Sequence, residues 1–324
     1  MLVLGGKVDI DILSDINTST NEELLERIRT INVNRSGDRR APHKPLLLLV
    51  AISNLLQGKR ELSFGEVESL LRPLLNAYAP PISGQHEPKL RYWYLRTDKL
   101  WEISGDRELP LQQGGFPQMR WLRASSGHLP ERFVKALQGN ETLVDTVVQM
   151  VLDAHFPESL HDDILASVGL TSFTENIVAE EQASYGLVRK RDPKFRYKVL
   201  QAYEYRCAAT GFRAALGGSY FGCEAAHVKW HAYEGPDKVE NGLALEPTLH
   251  KLFDAGAWSL TDDRKILVSA DFSGSDEAVE KIRSLHGHPL RSPQQGMPLV
   301  STEYIRWHRE KDFGGVFRHP ALSL

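Results

Sequence analysis

Apolar residues recur at helical spacing through most of the first half of the chain. Thr20 and Glu23 form a capping-box pattern ahead of such a run, which predicts a first helix that ends near Thr30. A second helix is predicted to begin at Pro45 and to end at Gly58. Because it is apolar on every side, this helix belongs at the centre of a core. Further helices are predicted at residues 64–77, 130–137, 141–154 and 159–170.

Two short aromatic runs follow the third predicted helix. Residues 92–95 and 100–103 are rich in aromatic and β-branched side chains, and a polar turn separates them. We expect the two runs to pair as a β-hairpin that packs on the helices. The first part of the chain is therefore predicted to be a mixed, mainly helical domain with a small sheet.

The apolar periodicity fades between residues 171 and 187, where we place a linker between domains at residues 1–170 and 188–324. In the second domain a short strand is predicted to end at His227. After a loop, a helix is predicted to open at Pro247 and to end at Gly256. The predicted fold class is α+β.

The composition is that of a folded protein without a membrane span or a disulfide framework. The 324 residues are 41% hydrophobic and 25% charged, and no apolar run is long enough to cross a bilayer. The first residues lack the layout of a secretory signal, so we expect a cytoplasmic protein. Cys207 and Cys223 are too few for a disulfide scaffold and are not spaced as a structural zinc site, so we expect reduced thiols.

Cations are concentrated in two segments although the net charge is only −3. Local charge, rather than the total, decides whether a surface contacts phosphate, and each segment is either such a contact or a solvated face. His43 and Lys44 also precede the apolar helix, where they either favour a bound anion or merely cap the helix. The two segments contain Arg27, Arg29, Arg35, Arg39, Arg40 and Lys44, and Arg189, Lys190, Arg191, Lys194, Arg196 and Lys198.

Four polar residues of the second domain combine the side chains that phosphodiester hydrolysis needs. His250 and Asp254 are four residues apart on the predicted helix, so both project from one face as half of a divalent-metal site. His227 is suited to take a proton from the attacking water at neutral pH, while the metal would contact the phosphate. Asn241 is predicted to tie the loop to the strand and so to orient the His227 ring.

This order of residues resembles the HNH nuclease family. Asn241 follows His227 by fourteen positions, and His250 follows Asn241 by nine. Residues 205–211 and 249–254 also look like the flanks in restriction-type HNH proteins. The resemblance implies a ββα-metal nuclease domain with catalytic residues His227, Asn241 and His250. Asp254 would be a further ligand, and the cation would be Mg²⁺ or Mn²⁺.

One position departs from that family pattern. Many members carry Asp or His immediately before the general base, where this sequence has Ala226. Glu224 is a candidate metal ligand in its place, although strict strand alternation puts it on the side opposite His227 unless a bulge intervenes. His231 is a further candidate ligand, and its alternative is an ordinary surface histidine.

The first domain resembles the sulfur-binding domain of phosphorothioated-DNA-binding restriction endonucleases over residues 20–170. Residues 38–49 and the two aromatic runs carry the likeness. In that family an apolar cavity flanked by cations holds the sulfur that replaces a phosphate oxygen, and sulfur suits an apolar wall because it is polarizable and weakly hydrated. The resemblance implies a cavity wall of Tyr78, Ala79, Pro80 and Pro81, charge contacts from Arg39, Arg40, His43 and Lys44, and base contacts from Asn32, Asn34 and Arg35.

Together the two resemblances imply a type IV restriction endonuclease that acts on phosphorothioate-modified double-stranded DNA. Cutting both strands would suggest a homodimer, and no membrane partner is expected. Two alternatives stay open. The first is an HNH nuclease directed at methylated or unmodified DNA, and the second is a DNA-binding regulator with a degenerate nuclease site, for which Ala226 is the reason.

Overall fold

The computed structural model of the protein describes residues 10–31, 35–36, 39–40, 42–79, 92–93, 95–104, 111, 116–170, 192, 194–310 and 315–323. The predicted linker at residues 171–187 lies outside the described residues, as do Asn32, Asn34, Pro80 and Pro81. The backbone of two short paired strands, β1 (Arg35–Ser36) and β2 (Arg39–Arg40), is described without its side chains. The α+β fold class is confirmed, and the domain division stays a prediction.

Helices surround one long buried helix in the first part of the chain. That helix is α2, in which residues 43–53 are all buried, and it contacts α3, α6 and α7. The prediction of a central, all-apolar helix is therefore confirmed. The helices of this part are α1 (Ile10–Arg29), α2 (His43–Leu56), α3 (Phe64–Tyr78), α4 (Met119–Arg123), α5 (Glu131–Leu137), α6 (Glu141–His155) and α7 (His161–Val168).

The first helix begins earlier than predicted. Because α1 starts at Ile10, Thr20 and Glu23 lie inside it rather than at its N-terminus. Glu23 accepts a hydrogen bond from Arg27 one turn further along, with Nε and Oε1 2.8 Å apart. No proline or glycine interrupts residues 10–29, so nothing stops the helix before Thr20 and the start signal taken from the capping-box pattern was wrong.

The predicted hairpin of residues 92–103 is also wrong. Residues 92–93 are helical, and Leu95–Asp98 forms a 3₁₀ turn. Strand β4 (Glu102–Ile103) pairs instead with β5 (Ser126–His128). Strand β5 also pairs with β3 (Glu61–Ser63), which gives a small antiparallel sheet in the order β3-β5-β4.

Aromatic packing explains this choice of partner. The Trp101 ring lies over Gly127 of β5 so closely that a Cβ atom built there would come within 2.4 Å of the ring. Tyr92 packs edge-on against Trp101 and Phe64, with ring centroids 5.8 and 5.3 Å apart. Tyr92 and Trp101 are therefore core residues. Strand β5 can lie beside the Trp101 ring because Gly127 has no side chain to obstruct it.

A strand pair and one short helix form the centre of the second part. Strand β8 pairs with β9 in a regular antiparallel register from Glu224↔Leu245 to His227↔Gly242, without a bulge. Helix α9 follows, with Pro247 in its first turn and Gly256 in left-handed conformation (φ 76°) after its end, as predicted. The elements of this part are α8 (Phe195–Ala202), β6 (Ala214–Leu216), β7 (Ser219–Phe221), β8 (Glu224–His227), β9 (Gly242–Leu245), α9 (Pro247–Asp254), β10 (Trp258–Leu260), β11 (Ile266–Val268), α10 (Asp276–Arg283) and α11 (Thr302–Arg309).

Each part has its own apolar core, and the two parts touch at α9 and at the 3₁₀ turn His231–Tyr233, which lies against α6. The first core is drawn from residues 24–170 and the second from residues 195–305. Helix α9 lies against the 3₁₀ turn Glu158–Leu160 of the first part. Both cysteines are free and buried, as expected for reduced thiols. Over the described residues, no helix has the length and apolar character needed to span a membrane.

Candidate active site

The His227 ring is held on two sides at the end of β8. Its Nε2–H donates to Asp237 Oδ1 at 2.8 Å. The Phe195 ring of α8 stacks on it, with centroids 3.9 Å apart and an interplanar angle of 16°. The bond to Asp237 assigns the proton to Nε2 and leaves Nδ1 as the basic nitrogen. The side chain is 15% exposed, so water can reach it while its orientation stays fixed.

Asp237 is a site residue that sequence reasoning missed. Its second carboxylate oxygen accepts from the backbone N–H of Asp192 at 2.7 Å. Burial opposes the charged form, but this bond and the contacts with His227 and His231 hold the pKa of Asp237 below its usual range. The carboxylate is therefore ionised at neutral pH and stabilises positive charge on His227. No spacing rule marks Asp237, because it lies in the irregular loop between the two strands.

The Asn241 amide bonds to both the strand end and the loop, and its positioning role stays a prediction. It is fully buried at the start of β9. Its Oδ1 accepts from the Lys229 N–H at 2.8 Å, while its Nδ2 donates to the Lys229 and Pro236 carbonyls at 2.9 and 3.0 Å. These bonds tie both ends of the loop that holds Asp237 to the strand that holds His227.

His250 lies between two carboxylates. Its Nδ1 donates to Glu224 Oε2 at 2.9 Å, and its Nε2 lies 3.1 Å from Asp254 Oδ2. Burial opposes protonation, but the two carboxylates outweigh it and raise the pKa of His250 to about 9. The hydrogen bond from His250 is also the main reason why the pKa of Glu224 is lowered. The pair β8–β9 contains no bulge, so Glu224 reaches His250 from a regular strand.

The same three residues suit a divalent cation. Within the described residues, no group of three or more His, Cys, Asp or Glu side chains is placed so that it could hold a metal ion as it stands. Asp254 is 3% exposed, and its Oδ1 is buried without a hydrogen-bond partner in that part of the chain. A buried, unsatisfied carboxylate oxygen beside an imidazole and a second carboxylate has the donor chemistry of a metal site. The donor types therefore match the cation that an HNH domain generally uses, but Glu224 and Asp254 face opposite ring nitrogens of His250 and would have to move to share one ion.

A cleft of about 500 Å³ brings the two histidines to one opening. Its floor includes β8 and α9, and its far wall is the turn Glu158–Leu160 of the first part. Arg196 of α8 adds a cation to the wall, which suits a phosphate. The residues at the opening include Phe195, Arg196, Glu224, His227, His250 and Lys251.

His231 is buried, so the alternative that it is an ordinary surface histidine is wrong. Its side chain is 7% exposed, and its Nε2 lies 4.0 Å from Asp237 Oδ2. The His231 and His227 rings meet edge to face, with centroids 5.9 Å apart. His231 therefore packs behind the general-base candidate rather than beside His250.

The described candidates for DNA contact in the first part are mostly buried. His43 is 2% exposed and Lys44 is 6% exposed at the start of α2. The Lys44 ammonium pairs with the carboxylate of Asp98, whose side chain is also buried. Tyr78 directs its hydroxyl to the Asp163 carbonyl at 3.0 Å, and the neighbouring Ala79 is 2% exposed. The roles of these residues in DNA contact stay predictions.

Two family models match this chain. Residues 21–173 match the ScoMcrA-like DNA sulfur-binding domain, and residues 207–261 match an HNH endonuclease domain. His227, Asn241, His250 and Asp254 all fall inside the second match. No curated protein matches the chain.

Several solved structures are similar to parts of the chain. The sulfur-binding domain of ScoMcrA complexed with phosphorothioated DNA is 23% identical with a TM-score of 0.41, and the match covers 46% of this chain and 96% of that chain. The type IV phosphorothioation-dependent restriction endonuclease ScoMcrA is 25% identical with a TM-score of 0.38, covering 46% of this chain and 32% of that one. The modification-dependent TagI restriction endonuclease is 22% identical with a TM-score of 0.30, covering 42% and 44%. Likeness at this level does not establish a shared function, so the family models are the stronger finding.

Proposed function

Because the chain combines a ScoMcrA-like DNA sulfur-binding domain with an HNH endonuclease domain, we propose that it is a modification-dependent restriction endonuclease whose target is phosphorothioate-modified double-stranded DNA. The observation that carries the nuclease reaction is the convergence of His227 and His250 on one cleft. Cleavage of both strands would be the work of a homodimer.

His227 acts as the general base in this proposal. Its Nδ1 takes the proton from the attacking water, and Asp237 stabilises the imidazolium that forms because its carboxylate accepts from Nε2–H at 2.8 Å. Phe195 and Asn241 hold the ring and the loop in the orientation that the proton transfer requires. Arg196 binds a phosphate oxygen at the wall of the cleft.

His250, Asp254 and Glu224 would hold a divalent cation, Mg²⁺ or Mn²⁺. The cation, when bound, supplies Lewis-acid stabilisation of charge on the phosphate and the leaving oxygen. His250 must then give up a proton, because a metal ligand needs a free ring nitrogen. Glu224 provides the carboxylate that Ala226 cannot, which supports a working nuclease site rather than a degenerate one.

The first domain selects the target in this proposal. The apolar wall would include Tyr78, Ala79, Pro80 and Pro81, and it would favour a weakly hydrated sulfur over oxygen. The match of residues 21–173 to a DNA sulfur-binding domain supports this reading. The proposed contacts to phosphate and bases come from Asn32, Asn34, Arg35, Arg39, Arg40, His43 and Lys44.

Matched duplexes with and without one phosphorothioate test the proposal. We expect the full chain to bind the modified duplex at least about tenfold more tightly by fluorescence anisotropy, and to cut it in Mg²⁺ or Mn²⁺ but not in EDTA. Equal affinity for both duplexes would overturn the sulfur target and favour methylated or unmodified DNA. Selective binding without cleavage in either metal would favour a DNA-binding regulator.

A further inference from the structure

The two parts of the molecule contact each other at the turn His231–Tyr233, which lies against α6, and at α9, the helix that carries His250 and Asp254. Lys251 Nζ donates to both carboxylate oxygens of Asp163 at 3.0 and 3.1 Å. Just beyond α9, the Ala255 carbonyl accepts from Arg318 Nε at 2.9 Å. The same guanidinium donates to the Asn76 and Ala77 carbonyls at the end of α3, at 2.8 and 2.6 Å. The first part of the chain therefore contacts α9 at Lys251 directly and, through Arg318, the residue that follows the helix.

A further contact between the two parts lies inside the proposed nuclease site. The Ser159 hydroxyl, on the turn Glu158–Leu160, donates to Asp254 Oδ2. That oxygen is also the one that faces His250 Nε2 at 3.1 Å. Among the described residues, Ser159 donates a hydrogen bond to this carboxylate, and His250 forms an ion pair with it.

The environment of Asp254 makes a second donor necessary. The residue is 3% exposed and lies in the last turn of α9, where the helix dipole disfavours a negative charge. His308 lies close by, but burial lowers its pKa to about 4, so it is neutral and supplies no compensating charge. The two contacts on Oδ2 hold the carboxylate in one orientation against the His250 ring, while Oδ1 is buried without a hydrogen-bond partner among the described residues.

We propose that Ser159 is a positioning residue of the nuclease site, supplied by the sulfur-binding domain. It orients Asp254, and through Asp254 it orients His250, so the metal site is complete only when the two domains are docked. The inference rests on the proposed function in that it takes Asp254 and His250 as the metal ligands.

Three full-chain variants test this role. Ser159→Ala removes the donor, Ser159→Thr keeps a hydroxyl, and Asp163→Asn breaks the exposed ion pair with Lys251 at the same domain contact. Two measurements are made on each: the cleavage rate of the phosphorothioate duplex, and Mn²⁺ binding to metal-free protein by calorimetry. Affinity for the duplex is measured in parallel.

We expect Ser159→Ala to lower both the cleavage rate and Mn²⁺ affinity by about 10- to 100-fold, with unchanged duplex affinity. Ser159→Thr should recover to within about threefold of wild type, and Asp163→Asn should stay within about twofold. Wild-type values for Ser159→Ala would overturn the proposal, as would an equal loss in Asp163→Asn, which would mean that docking alone matters.

The cleavage rate and the Mn²⁺ affinity together distinguish a failure of the Ser159 proposal from a failure of the proposed nuclease function. If wild type binds Mn²⁺ but cuts no duplex, the nuclease proposal fails, and the effect of Ser159→Ala on Mn²⁺ affinity still decides the role of Ser159. If wild type binds no Mn²⁺, the metal site itself is wrong and the role of Ser159 is overturned with it.

Discussion

A histidine and a charged residue share one helix in each half of the molecule, but their surroundings differ. On α2, His43 and Lys44 are 2% and 6% exposed, and the Lys44 ammonium faces a buried carboxylate of the same domain. On α9, His250 is 14% exposed and the adjacent Lys251 is 46% exposed at the mouth of a cleft. The first pair of residues is surrounded by protein, whereas the second lines an opening that solvent can enter.

This difference separates a structural ion pair from a site with unused bonding capacity. Asp98 and Lys44 neutralise each other in the interior. Asp254 keeps one buried carboxylate oxygen without a hydrogen-bond partner within the described residues. Unsatisfied buried polar atoms are destabilising and are retained where a ligand satisfies them. The polar groups of α9 are therefore better candidates for chemistry than those of α2.

Removal of the proposed general base should give the largest effect. We expect His227→Ala to lower the cleavage rate by about 10³-fold or more, because general-base catalysis contributes at that scale. Asp237→Asn keeps the ring and weakens only its support, so its loss should be about 10- to 100-fold. Single-turnover cleavage of the phosphorothioate duplex measures both rates.

Duplex affinity is the control for these two variants, and it should stay within about twofold of wild type, since the proposed DNA-binding residues lie in the first part of the chain. His227→Ala with more than about a tenth of the wild-type rate would contradict the assigned role. A loss of affinity for the modified duplex in either variant would also contradict the separation between a binding region and the proposed nuclease site.

Disruption of the buried ion pair between Lys44 and Asp98 should lower the stability of the protein rather than its cleavage rate. We expect Lys44→Met to lower the free energy of unfolding by about 3–5 kcal/mol, because it leaves the Asp98 carboxylate buried without its ammonium partner. Lys59→Met is the matched control, since Lys59 pairs with Glu66 and both side chains are 45% exposed. Its cost should be under about 1 kcal/mol.

Denaturant unfolding of the full chain, followed by tryptophan fluorescence, measures both costs. If Lys44→Met unfolds like wild type and instead loses affinity for the phosphorothioate duplex, Lys44 is a DNA contact, and the contrast between α2 and α9 disappears.

Local sequence signals predicted the parts of the fold that depend on neighbours in the chain. Pro247 and Gly256 mark the ends of α9 correctly because helix capping is a local effect. The Thr20 pattern failed, whereas a working capping box forms at Ser63 and Glu66. A capping pattern has meaning only where the preceding residues leave the helix, and α1 continues back to Ile10.

Contacts that depend on the tertiary fold were not predictable in the same way. Strand β5 contains Ser126, Gly127 and His128, which have weak strand preference, so nothing marked it as the partner of β4. His227, Asn241 and His250 could be recognised because their order along the chain resembles a known family. Asp237 and Ser159 could not, because one lies in an irregular loop and the other comes from the first domain.

The smallest expected effect is a pH dependence confined to the site on α9. The pKa of His250 is raised from 6.5 to about 9. Because the folded-state value is raised, the protonated ring contributes stability that is fully present below pH 6.5 and is lost as the pH rises through about 9. The contribution is at most about 3.5 kcal/mol, at roughly 1.4 kcal/mol per pKa unit.

Thermal unfolding in EDTA at pH 6.5 and 9.5 measures this loss, and Glu224→Gln is the informative variant. Replacing Glu224 removes one of the two carboxylates that raise the pKa of His250, so the variant should lose less stability over the same interval. His308, whose pKa is lowered to about 4, stays neutral throughout and does not contribute. An equal loss in wild type and Glu224→Gln would show that the charged triad of His250, Glu224 and Asp254 does not form. The metal site would then need a different set of ligands from the one that α9 and β8 provide.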